Sequence, residues 1–79
     1  MPNISDLTNR EPVAALPDAA ERARLRKAFG VTQAQLAAAL HVARQTVIAW
    51  EKGSEPAGRQ RDDYAAVLSA WQETEKQGR

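Results

Sequence analysis

The sequence predicts an all-α fold, a small bundle of helices in one domain, from three observations. Apolar residues recur at helical spacing, most clearly Tyr64, Val67, Leu68 and Trp71 at i, i+3, i+4 and i+7. Start and stop signals punctuate the chain: Asp18 with Glu21, Thr32 with Gln35, then Gly30 and Gly53. No segment alternates as a half-buried strand would, and no internal repeat is present. With 79 residues the chain holds one domain at most. Such a chain buries only about 60% of its unfolded surface, so its stability is expected to be modest.

Residues 1–16 carry two prolines and no sustained period, and read as a flexible arm. Arg10 is its one base, which suits a minor-groove contact poorly. The first helix is expected over 18–29. Asp18 and Glu21 match a capping box, acids fill the first turn and bases the last, and Gly30 takes the left-handed conformation that ends it. Val31 then folds back onto Leu25. The second helix opens with Thr32 as N-cap and Gln35 three residues on, while Val31 and Leu36 form a hydrophobic staple. It runs to Leu40 and buries Leu36, Ala37 and Leu40. The third helix, 44–52, buries Val47 and Trp50, with Val42 stapled onto Val47 and Gly53 closing it. After the loop "GSEPAG" a fourth helix over 59–73 carries the Tyr64 to Trp71 stripe. Residues 17–74 therefore read as the folded domain and 75–79 as a disordered tail.

Composition narrows the functional classes. There is no cysteine, so neither a disulfide framework nor a thiolate zinc site can form. No apolar run reaches the roughly 20 residues of a membrane span, and the N-terminus lacks the layout of a signal peptide, so a cytoplasmic protein is expected. A net charge of +1 argues against indiscriminate binding of polyanions, so any nucleic-acid face must be local. Between Pro17 and Gly58, Arg22, Arg24, Arg26, Lys27, Arg44 and Lys52 outnumber Asp18, Glu21, Glu51 and Glu55. Catalysis lacks its parts. His41 stands without other strong metal ligands, and Asp62 and Asp63, adjacent on a helix, point about 100° apart. No enzyme, metal or cofactor is expected.

The stretch "TQAQLAAALHVARQTVIAW", Thr32 to Trp50, places two short helices about three residues apart. Helices so joined cross steeply and leave the outer face of the second one free, a shape that fits a groove. That face offers Arg44 and Gln45 in its first turn, with Ala49 and Lys52 further along and Ile48 at its edge. An Arg can bind guanine bidentately, a Gln adenine, and an alanine methyl can pack on thymine.

The segment "LRKAFGVTQAQLAAALHVARQTVIAWEKG", Leu25 to Gly53, resembles the lambda-repressor-like helix-turn-helix family, the Cro/repressor or xenobiotic-response-element type. With a looser fourth helix the resemblance spans residues 17–71. It implies a bundle of four to five helices that binds operator DNA, commonly as a homodimer and usually as a repressor. By that resemblance Arg44, Gln45 and Ala49 occupy base-reading positions. Gln33 grips a phosphate at the start of the second helix beside Thr32, Thr46 touches a phosphate or a thymine methyl, and Lys52 contacts backbone. Arg26 and Glu51 match a pair that the family buries as a salt bridge.

The chain departs from the family pattern at three positions. His41 stands where glycine is usual, Ala43 where a capping Ser or Thr is frequent, and Ala49 where longer polar side chains are common. A left-handed non-glycine residue costs roughly 1–2 kcal/mol and a lost N-cap about 1 kcal/mol, so the turn should be strained.

Beyond the motif, Arg59 and Arg61 either add phosphate contacts at the start of the fourth helix or form a solvated face. Leu68 and Trp71, with Leu7 and Val13 in the arm, are candidate dimer surfaces; Trp71 suits the core equally well. Two function classes follow. One is a double-stranded-DNA regulator, cytoplasmic and nucleoid-associated, that inserts helix 44–52 into the major groove of an inverted-repeat operator. The other is a protein-interaction module, an antitoxin or coactivator-like adaptor, whose partner is a toxin or the transcription machinery.

Overall fold

The computed structural model describes residues 15–78. Four helices follow in order: α1 (Ala19–Ala28), α2 (Gln33–Leu40), α3 (Arg44–Trp50) and α4 (Gly58–Gln77), with no strand among the described residues. Arm residues Leu7, Arg10 and Val13 lie outside them. Leu16, read as the end of the arm, is instead half-buried against the core, because an apolar side chain next to α1 finds cover there.

Asp18 caps α1, its side chain accepting from the Glu21 amide at 2.9 Å. Only half of the expected capping box forms: the Glu21 carboxylate turns to Arg24, accepting from Nε and Nη2 at 2.7 and 2.6 Å. A charged guanidinium one turn away is the stronger donor. At the other end Gly30 is left-handed at φ 70°, and Val31 and Gly30 donate to the carbonyls of Arg26 and Lys27, a Schellman closure.

Thr32 completes a full box on α2. Its hydroxyl accepts from the Gln35 amide at 3.0 Å, while the Gln35 side chain accepts from the Thr32 amide at 2.9 Å. Helix α2 closes by the same device as α1 with a different residue. His41 sits at φ 58°, ψ 43°, and His41 and Val42 donate to the carbonyls of Ala38 and Ala37. Ala43 then opens α3 with no side-chain cap. Two local energies are therefore spent in a three-residue turn.

Relieving either is expected to stabilise the domain. His41→Gly removes the left-handed strain, about 1 kcal/mol net of the extra freedom glycine gains when unfolded. Ala43→Ser supplies a cap worth about 1 kcal/mol. Each should raise Tm by roughly 4–8 °C in a domain of this size, read by thermal circular dichroism. A lower Tm in both would remove the strain account of the turn.

Helix α3 stops at Trp50, two residues before its expected end at 52. Glu51 to Gly53 form a turn in which Gly53 reaches φ 117°, and the Ser54 amide donates to the Ala49 carbonyl. Helix α4 is longer than the 59–73 expected and takes in the first residues read as tail. Glu75 is anchored by Arg24 of α1, at 2.9 and 3.1 Å, and the Thr74 hydroxyl bonds back to the Ala70 carbonyl.

The core sits where the four helices meet. Leu25, Val47, Tyr64, Ala65 and Leu68 have no exposed surface, and Leu36, Ala37, Leu40 and Trp50 nearly none. Leu68 is therefore a core residue and not a dimer contact: a side chain with no surface cannot meet a second molecule. Trp71 is half-buried and stacks on Phe29 at 5.4 Å, with Val67 packed against the same core.

Tyr64 stacks on Trp50 at 4.7 Å, yet its hydroxyl, buried near Glu51, Arg22 and Arg26, has no hydrogen-bond partner among the described residues. Burial, with the Glu51 carboxylate adding to it, pushes the phenol up to about 12. A pKa raised on folding gives stability that is complete below the unfolded value near 10 and is lost as pH rises toward 12. Tyr64→Phe removes an unsatisfied polar atom, a burden of about 1–3 kcal/mol. It should stabilise the protein at pH 7 and move its alkaline unfolding, followed by circular dichroism, to higher pH. A loss of stability at pH 7 would mean that the hydroxyl makes a favourable bond.

Candidate nucleic-acid interface

Burial of Val47 and Trp50 fixes how α3 is rolled, and the roll decides what it shows. Arg44 and Gln45 are exposed in its first turn, Thr46, Ile48 and Ala49 are half-buried, and Lys52 is exposed just past its end. Residues 44, 45, 48, 49 and 52 thus share the face opposite the core.

A cleft of about 480 Å³ opens beside the start of that face. It is lined by Arg26, Lys27, Gly30, Val31, Thr32, Gln33, Ala34 and Arg44. One wall is the N-terminal turn of α2, whose first amides carry the positive end of the helix dipole. Lys27 adds a full charge from the last turn of α1 and Arg44 another from α3. An anion entering between α2 and α3 meets backbone amides and cations together, the combination that holds phosphate. Four expected site residues, Thr32, Gln33, Arg44 and the buried Arg26, meet in this cleft. Lys52, Arg59 and Arg61 do not: Arg59 is exposed on the first turn of α4, and Arg61 lies 3.8 Å from Asp62 there.

Behind the cleft lies a polar hub. Arg26, 8% exposed, donates to Glu51 from Nε at 2.6 Å and Nη2 at 3.0 Å, and from Nη1 to the Val31 carbonyl at 2.9 Å. Hydrogen bonding to the Glu51 carboxylate raises the Arg26 pKa above its ordinary value. Gln33 joins it, its Nε2 donating to Glu51 Oε1 at 3.1 Å. This contact orients the Gln33 amide and leaves its second N–H for an external acceptor. One carboxylate thereby ties α1, the start of α2 and the end of α3.

Two residues of this region were not singled out from the sequence. Lys27 counted there only as a charge in the last turn of α1, although Gly30 turns the chain so that this residue faces the start of α2. Arg22, 3% exposed, is buried beside Arg26 on the core side of α1. A signal existed: with Leu25 and the C-cap Phe29 as the only large apolar residues there, α1 could complete a core stripe at i, i+3, i+4 and i+7 only through Arg22 and Arg26.

Among the described residues no cluster of His, Asp or Glu could hold a metal, and no helix is long and apolar enough to cross a membrane. Comparison with known proteins finds no curated protein and no solved structure that matches. A family model described as helix-turn-helix matches residues 23–60, from within α1 through α2 and α3 to the first residues of α4. The matched segment contains both tightly closed turns, the cleft and the exposed face of α3, and it is a helix-turn-helix of the lambda-repressor-like family of DNA-binding regulators.

Proposed function

We propose that this protein is a dimeric repressor that inserts α3 into the major groove of an inverted-repeat operator. The observation that carries this reading is the exposed pair Arg44 and Gln45 at the open N-terminus of α3, beside a cationic cleft. Arg44, Gln45 and Ala49 read bases, Arg44 on guanine and Gln45 on adenine. Thr32 and Gln33 hold a phosphate at the cleft, Thr46, Ile48 and Lys52 support the contact along α3, and Arg59 and Arg61 add backbone contacts from α4. One such module covers about 600–1,000 Å² of protein surface, too little for tight specific binding, so two act together one helical turn apart. The protein acts in the cytoplasm, on the nucleoid, by occupying a promoter, and no catalytic step or cofactor enters.

A second reading is favoured by Ile48, an apolar side chain half-exposed at the edge of α3. It makes the same face a dock for a protein, a toxin or a component of the transcription machinery. Selection of bound sequences from a randomised duplex library at near-physiological salt separates the two, with Arg44→Ala run beside the wild type. An inverted repeat whose guanine preference vanishes in the variant is the expected result. No enrichment from the wild type would sink the operator reading and favour the protein dock.

A further inference from the structure

We propose that Arg22 and Glu55 form a clamp that positions α3 for base reading; this rests on the DNA reading above. Arg22 projects from α1 into a place where three separated segments meet. Its Nε donates to the Pro17 carbonyl at 2.8 Å, before α1, and its Nη1 to the Trp50 carbonyl at 3.0 Å, the last residue of α3. Nη1 also reaches the Ser54 carbonyl at 3.4 Å, and Nη2 donates to both oxygens of Glu55 at 3.1 and 3.2 Å.

The arrangement matters because burial of Val47 and Trp50 sets the roll of α3 but does not hold its ends. It is seven residues long, begins without a side-chain cap and follows a strained turn. A helix so short is not self-supporting, and its direction is set by what holds its ends. Arg26 holds the Glu51 side chain from α1, and Arg22, one turn earlier on α1, holds the backbone of Trp50 and the loop behind it. A guanidinium suits this task, since its planar fork can satisfy several fixed acceptors at once. Glu55 differs from its partner in being largely outside: its side chain is 70% exposed against 3% for Arg22. It pins the guanidinium from the solvent side while contributing nothing to the core, so it can be removed without opening a cavity.

Electrostatics alone and the clamp predict opposite results at Glu55. Deleting an acid from a DNA-binding domain strengthens attraction to every duplex alike. Loosening the end of α3 instead weakens the base contacts while the phosphate contacts persist. The test compares the wild type, Glu55→Ala and Glu55→Gln for binding to the duplex selected by the wild type and to random duplex of equal length. It is joined by amide hydrogen exchange of the free proteins. For Glu55→Ala the ratio of specific to random affinity should fall about tenfold, the order of one weakened bidentate base contact. The amides of Lys52, Gly53 and Ser54, bonded to the carbonyls of Ala49 and Trp50, should exchange faster while core amides of α1 and α4 keep their rates. Glu55→Gln, uncharged but still able to accept from Nη2, should recover part of both effects.

An unchanged ratio with unchanged exchange would overturn the clamp, as would a Gln variant indistinguishable from Ala. A wild type that shows no preference among duplexes would refute the operator reading instead. The exchange rates would still judge whether Glu55 holds the end of α3.

Discussion

Glu51→Ala is expected to destabilise the domain by about 3–5 kcal/mol, the range for removing one partner of a buried ion pair. Total stability for a chain this small is on the order of 5 kcal/mol, so the variant should keep at most about 2 kcal/mol and, at the upper end of the loss, be about half unfolded at 25 °C. The size follows from what the substitution leaves behind. Arg26 keeps only the Val31 carbonyl among its hydrogen-bond partners, in a site 8% exposed, and the Gln33 amide loses its acceptor. An uncompensated guanidinium there cannot shed its proton to escape, because arginine does not deprotonate in proteins. Urea titration followed by circular dichroism measures the loss. A change below about 1 kcal/mol, the range of solvent-screened pairs, would mean that water reaches Arg26.

The paired replacement Arg26→Met with Glu51→Leu separates stability from function. Buried ion pairs contribute little net stability over apolar residues of similar volume, so the double variant should be markedly more stable than Glu51→Ala. Gln33 would have lost the carboxylate that orients it, however, and DNA affinity should not return with the fold. Full recovery of affinity would show that Gln33 needs no such orientation.

The contrast between Arg26 and Arg22 shows which features the sequence makes legible. Caps and closures lie within a few residues of the backbone they serve, so Thr32 with Gln35, Gly30, and even the strained His41 are readable one turn at a time. The face of α3 is equally local, since Val47 and Trp50 fix its roll by spacing alone. Arg26 with Glu51 was legible only through family resemblance. Arg22 finds Trp50 and Glu55 28 and 33 residues away, and nothing in its neighbours announces an acceptor so distant. Leu68 was misread for the same reason. A helix stripe shows that a residue faces inward, but whether the inside is a core or a second molecule depends on elements elsewhere in the chain. The length of α4 likewise depends on Arg24 of α1 reaching Glu75.

Affinity for the selected duplex is expected to fall roughly a thousandfold between 50 and 200 mM salt, the lower end of the range for six to ten phosphate contacts. Two chains that each bring Lys27, Lys52 and Arg59, with the amides of α2, to the duplex would make contacts of that number. A nearly flat dependence would point to a protein dock, since a partner held by Ile48 and its neighbours releases few counterions. The slope also counts chains. Each lost phosphate contact lowers it by about 1. Lys27→Gln should therefore lower the slope by about 1 if a single chain binds and by about 2 if the operator holds a dimer, with sequence preference unchanged. Arg44 lines the same cleft as Lys27, and the same measurement assigns it. If Arg44→Ala relaxes preference at one base pair and leaves the slope nearly intact, its guanidinium is on guanine. If it lowers the slope like Lys27→Gln and leaves preference intact, Arg44 belongs to the phosphate cleft, and base reading falls to Gln45 and its neighbours on α3.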